Sequence, residues 1–148
     1  MSMGSGTYPR VSNGRAILVG TLWVNIPVAV IMFGGWFGLP FIGAYLFPQV
    51  PALGIVGAGL LLAAWIVLPF TLAWTWWSCA VPRWRLWAMQ RTDDWPALEL
   101  AAIGAGLIWD EETIKGRLFA RTEIWSRQDR ERETELLRKL GRPPRRAN

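Results

Sequence analysis

Two acidic clusters are the places where this chain gathers groups able to move protons or hold a cation. Asp93 and Asp94 are adjacent, and Asp110, Glu111 and Glu112 run together. Neighbouring carboxylates do acid–base or metal chemistry when an imidazole, a second base or a nucleophile completes the set. The sequence supplies no His and one Cys, and neither a Walker motif nor a dinucleotide glycine motif is present. The first pair reads better as a helix start, because Asp94 precedes Trp95-Pro96 and can cap free amides. The second reads as a turn. No catalytic residue, metal ligand or cofactor is expected, and the chain reads as a non-enzyme. An enzyme acting on lipid would have to use Asp93 and Asp94, and ranks last. Cys79, in Trp-Trp-Ser-Cys-Ala, reads as a small apolar residue, with reversible acylation as the sharper option.

The elements around these residues explain why so little chemistry is available. Of 148 residues, 52% are apolar and only 18% charged, and the charges are unevenly placed. From Ala16 to Pro82 there is no Asp, Glu, Lys or Arg. All 11 Asp and Glu lie after that run, and the only basic residues before it are Arg10 and Arg15. A soluble surface needs charge, so a soluble monomer is excluded. The single Cys excludes a disulfide scaffold, and the lack of His excludes a His-ligated metal enzyme.

A crossing helix needs about 20 apolar residues for a hydrocarbon core roughly 30 Å thick. The uncharged run therefore predicts an α-helical membrane protein with a two-helix transmembrane hairpin over residues 16–82. Its helices are expected at about 16–38 and 52–78, with a turn near 47–51 in the Pro48-Gln-Val-Pro51 cluster. The first is expected to break near Gly34, Gly35, Gly38 and Pro40, leaving a short interfacial segment. Residues 1–15 are expected to be flexible. Residues 83–148 form a small cytoplasmic tail, mostly helical with an α+β alternative.

Arg10 and Arg15 flank the first helix and Arg83, Arg85 and Arg91 follow the second, while the connecting turn has no cation. By the bias of Lys and Arg toward the cytoplasm, both termini are expected inside, in a bacterial cytoplasmic (inner) membrane. The first apolar run is far longer than a signal-peptide core, and no small-x-small cleavage pattern follows it.

No ionisable residue falls inside the spans, which argues against a proton relay, an ion-coupled transporter or a voltage sensor. Thr21 with Asn25, and Thr71 with Thr75, share helix faces at four-residue spacing. Pro27 and Pro69 remove the amides that would bond the Trp23 and Trp65 carbonyls. The four polar residues are therefore expected to form an interhelical clasp. The functional alternative is a small oligomeric transporter or pore that they line. Gly34/Gly38, Gly54/Ala58 and Gly59/Ala63 suit close helix packing, within the hairpin, in a homodimer or against another membrane protein. Trp74, Trp76, Trp77, Trp84 and Trp87, interleaved with Arg83 and Arg85, are expected to anchor in the headgroup layer rather than to stack nucleic-acid bases, so no nucleic-acid partner is expected.

In the tail, helices are expected at about 95–105 and 127–140. Gly106 and Gly141 suit the left-handed position past each end, and Ser126 with Asp129 resembles a capping box. Residues 83–89 read as a strand or a continuation of the second helix, and 114–125 have no clear period. Glu135 and Lys139 are correctly ordered for an ion pair, Leu136, Leu137 and Leu140 form a short apolar patch, and Arg142, Arg145 and Arg146 make a basic end. The functional expectation is a non-enzymatic anchor, scaffold or accessory subunit of a membrane complex, with the lipid bilayer as its first partner.

Overall fold

A computed structural model describes residues 8–46, 54–110 and 112–141. All the regular structure among them is helical. The expected Pro48–Pro51 turn and the basic end at Arg142, Arg145 and Arg146 lie outside the described residues.

Helix α1 is a continuous run over residues 13–46, containing two π turns, Thr21–Asn25 and Gly34–Gly38. It does not break where its glycines and Pro40 suggested. Pro27 and Pro40 each stand two residues after a π turn. A proline ring collides with the carbonyl four residues earlier and offers it no N–H. The wider i→i+5 turn moves that carbonyl aside, so the helix absorbs both prolines as π bulges.

Helix α2, Gly54–Met89, has 36 residues with Pro69 and Pro82 inside it. It therefore continues well past residue 78, and residues 83–89 are its last turns. At 1.5 Å per residue it is about 54 Å long, against a hydrocarbon core of roughly 30 Å. Helices α1 and α2 are each long and apolar enough to span a membrane. Almost none of the apolar stretch of α2 is buried, unlike the core helix of a soluble protein. They run antiparallel: Ala16 meets Trp84, Trp23 meets Trp76 and Trp36 meets Trp65.

Three shorter helices follow. Helix α3, Trp95–Gly104, starts as its sequence dictates, with Asp94 accepting the Ala97 amide at 3.0 Å. It ends in a Schellman turn at Gly106 (φ 67°), where Leu107 donates to Ala102 and Gly106 to Ile103, each at 3.0 Å. Helix α4, Ile114–Thr122, is capped by Thr113 and replaces the ambiguous stretch with a helix, not a strand. Helix α5, Arg127–Lys139, carries the Ser126–Asp129 box, and Gly141 (φ 69°) closes it.

The core gathers at one end of the hairpin. Trp77, Ala80, Val81, Trp84, Ala88 and Met89 of α2 pack with Ala16 of α1, Trp95, Leu98 and Ala102 of α3, Leu107, and Leu137 of α5. Leu137 answers what the apolar patch of α5 covers: it packs on the chain's own core. Residues 8–12 contact the end of α2 and the segment that follows it. Val11 donates to the Arg91 carbonyl at 2.9 Å, Arg10 pairs with Asp93, and the Arg91 guanidinium lies over the rings of Tyr8 and Trp87.

Candidate functional site

The surface of interest begins where α2 changes surroundings. Up to Trp76 most of its large apolar side chains, Ile55, Leu61, Ile66 and Phe70 among them, are exposed. From Trp77 onward nearly all are buried. At this boundary an aromatic cluster joins the hairpin to the tail. Phe119 of α4 lies 4.8 Å from the Trp74 ring, 5.5 Å from Trp77 and 4.7 Å from Trp109, centroid to centroid. Such tilted and edge-on pairs stabilise by about 0.5–1.5 kcal/mol beyond their buried area.

Beneath the cluster sits a buried polar node. Arg85 is 1% exposed and Glu123 7%, and one guanidinium nitrogen of Arg85 lies 3.2 and 3.3 Å from the two carboxylate oxygens. The Trp125 indole donates to the same carboxylate at 2.9 Å. The Ile124 amide donates to the Ser78 carbonyl at 2.9 Å. Pro82 has no N–H to offer that carbonyl in the usual i+4 bond, so α2 leaves an acceptor free and the 123–126 connector takes it. Ser78 and Arg85 are two helical turns apart and so share a face. Chemically the node is a lock. It holds a desolvated ion pair that fixes α4 and the connector against α2, and Glu133 of α5 is buried as well.

The membrane-interface residues expected from sequence thus divide. Trp76 and Arg83 are exposed, Trp74 and Trp87 half-buried, and Trp77, Trp84 and Arg85 buried. Arg85 does not reach for headgroups, because Glu123, far along the chain, meets it inside the protein. Trp84 is buried because its indole crosses the first turns of α1 and donates to the Ala16 carbonyl at 3.0 Å.

The polar clasp is not formed as expected. Thr71 donates to Val67 at 2.9 Å and Thr75 to Thr71 at 2.8 Å, both within α2. These hydroxyls have backbone acceptors one turn back, the ordinary solution for Thr in a helix. Thr21 and Asn25 are half-buried in the first π turn. The bonds across the hairpin come from indoles instead. Trp76 donates to the Trp23 carbonyl at 3.3 Å and Trp65 to the Trp36 carbonyl at 3.0 Å. Both acceptors lie four residues before a proline, Pro27 and Pro40. The signal was present as a W-x-x-x-P repeat: Trp23–Pro27, Trp36–Pro40 and Trp65–Pro69. Thr and Asn are polar side chains of these helices, whereas the donors across the hairpin are indole N–H groups within residues counted as apolar.

The expected small residues are not where the two helices approach closely within this chain. Gly34, Gly38, Gly54 and Gly59 have open space where a Cβ would stand, and Ala58 and Ala63 are exposed. Close approach occurs at Gly35, where a Cβ would fall 2.4 Å from the Pro69 ring, and at Gly20, 2.6 Å from the Trp84 indole. In the acidic clusters, Asp94 caps α3, Asp93 pairs with Arg10, and Asp110 accepts the Glu112 amide in a turn, while Glu111 lies outside the described residues. Cys79 is half-buried.

Comparison with protein-family models, with curated proteins and with solved structures finds no significant match.

Proposed function

We propose that this chain is an integral membrane protein whose two long helices form a transmembrane hairpin, and that it serves as a non-enzymatic anchor, scaffold or accessory subunit on the cytoplasmic face of a bacterial membrane. The observation that carries the reading is the single unbroken helix α2. Its first half exposes apolar side chains to its surroundings, and its second half is the centre of a folded, charge-bearing region. Burying the exposed face of that first half in lipid stabilises it at about 25 cal/mol per Å² of apolar surface, and water offers no such gain. Positions 8–12 and the segment after α2 meet at the same end of the hairpin, through Val11–Arg91 and Arg10–Asp93. That supports both cationic flanks facing one side, which the charge bias makes the cytoplasm. The pore reading gains nothing, because Thr71 and Thr75 are bonded to their own helix.

Reporter fusions at each end and within Pro48–Pro51 test the orientation, and an external C-terminus overturns it. Native purification in mild detergent followed by mass spectrometry tests the role. Co-purifying membrane subunits, or a homo-oligomer, support it; a solitary monomer with no enriched neighbour in proximity labelling defeats it.

A further inference from the structure

Helix α4 is the element that the hairpin reading does not use. It buries little, and its composition is one-sided. Gly116 is buried and Phe119 half-buried against Trp74 and Trp77, so these residues define its inner face. At 100° per residue the opposite face carries Ile114, 79% exposed, and Leu118, 59% exposed, one turn apart. Exposed cations flank that apolar pair on both sides: Lys115 on one, Arg117 and Arg121 on the other. The helix holds no acidic residue, and Glu112 stands just before its Thr113 cap.

Its depth is set by its contacts. Phe119 packs on Trp74 and Trp77, where the exposed apolar half of α2 gives way to the buried half, and Ile124 is bonded to Ser78 at the same level. Trp109, 41% exposed, also packs on Phe119 in a tilted pair, 4.7 Å centroid to centroid. An amphipathic helix with apolar residues outward, flanked by Lys and Arg, lies in the bilayer interface plane. We propose that α4 is an interfacial helix binding anionic phospholipid headgroups, with Ile114, Leu118 and Trp109 entering the acyl boundary and Lys115, Arg117 and Arg121 engaging the phosphates. The proposal rests on the membrane hairpin. The occupant follows from charge complementarity and from continuity with the apolar surface of α2. A folded protein partner would be expected to bring carboxylates to three cations, but would have no reason to lie at the level where the lipid-facing surface begins.

The test uses the full chain, with Cys79→Ala, reconstituted in phosphatidylcholine vesicles with or without phosphatidylglycerol. A fluorescent probe is placed on Leu118→Cys, Leu61→Cys or Glu131→Cys. The expected result is that the Leu118 probe in phosphatidylglycerol vesicles is shielded from aqueous iodide and quenched by lipid-borne nitroxide, as at Leu61 and unlike Glu131. Replacing Lys115, Arg117 and Arg121 with Gln, or raising the salt on the unsubstituted helix, should return it toward the Glu131 level. A water-accessible Leu118 with Leu61 in lipid overturns this inference and leaves the hairpin standing. Iodide reaching Leu61 too overturns the hairpin itself. Equal shielding in pure phosphatidylcholine, or shielding without nitroxide quenching, also overturns the proposal, the latter by placing protein over the helix.

Discussion

The two halves of α2 are both apolar and both helical, yet they are held by different means. Over residues 54–75 the helix presents large side chains outward, and its contact with α1 includes indole-to-carbonyl bonds and a close glycine–proline approach. Over residues 77–89 it is surrounded on most sides by α1, α3, the 123–126 connector and α5. The difference teaches that apolar content does not determine burial in this chain; the charged elements folded around the second half do. Where no such elements exist, the helix faces outward and lipid is the natural complement. Prolines act beside both halves: Pro27 and Pro40 free α1 carbonyls that Trp76 and Trp65 take, and Pro82 frees the Ser78 carbonyl that Ile124 takes.

The comparison breaks most severely if the node beneath the second half is not what holds it. Glu123→Ala removes one buried carboxylate partner from the Arg85 guanidinium and the acceptor of the Trp125 indole, and should cost about 3–5 kcal/mol. Unfolding of the detergent-solubilised protein, followed by tryptophan fluorescence, measures it. The paired change Arg85→Met with Glu123→Leu should recover most of that loss, because the apolar replacement removes both buried charges together. A loss under about 1 kcal/mol for Glu123→Ala would be that of an exposed pair and would remove the lock.

A sterically directed change distinguishes real contact from mere small-residue spacing. Gly20→Val places a Cβ 2.6 Å from the Trp84 indole and 2.8 Å from Leu107, and should destabilise by about 1–3 kcal/mol. Gly34→Ala meets nothing within 4 Å and should leave stability unchanged or slightly raised in the same assay. Equal effects at the two positions would mean that α1 and α2 pack on a different seam.

Within the first half, Trp65→Phe keeps an aromatic ring, though a smaller one, and removes the donor to the Trp36 carbonyl. The expected loss is about 0.6–2 kcal/mol, the range for interhelical bonds in lipid. Thr75→Val should change much less, since its hydroxyl bonds only its own helix. The reverse ranking would restore the polar clasp.

The smallest effect belongs to α5. The hydrogen bond and charge of Lys139 hold the Glu135 carboxyl below the usual glutamate range. A depressed carboxyl adds stability that is present above its ordinary titration range and is lost as pH falls through the lowered one. Both side chains of the pair are exposed, so Glu135→Gln should shift the unfolding midpoint barely, and only at neutral pH and low salt.

By itself the sequence determined the features that depend on neighbours within a turn or two. The uncharged run implies two long apolar helices, and Asp94, Gly106, Ser126 with Asp129, and Gly141 mark helix ends through local hydrogen bonds and backbone freedom. Chain folding decided what depends on distant partners. That Arg85 turns inward required Glu123, and that α4 is a helix rather than a strand is consistent with Phe119 docking on Trp74 and Trp77. Gly20 and Gly35, rather than Gly34 and Gly38, became the points of close approach because only the antiparallel register says which turns meet. Local propensity is written within a few residues. A buried charge, a shared carbonyl and a packing seam each belong to two segments at once, and become legible only when the chain brings those segments together.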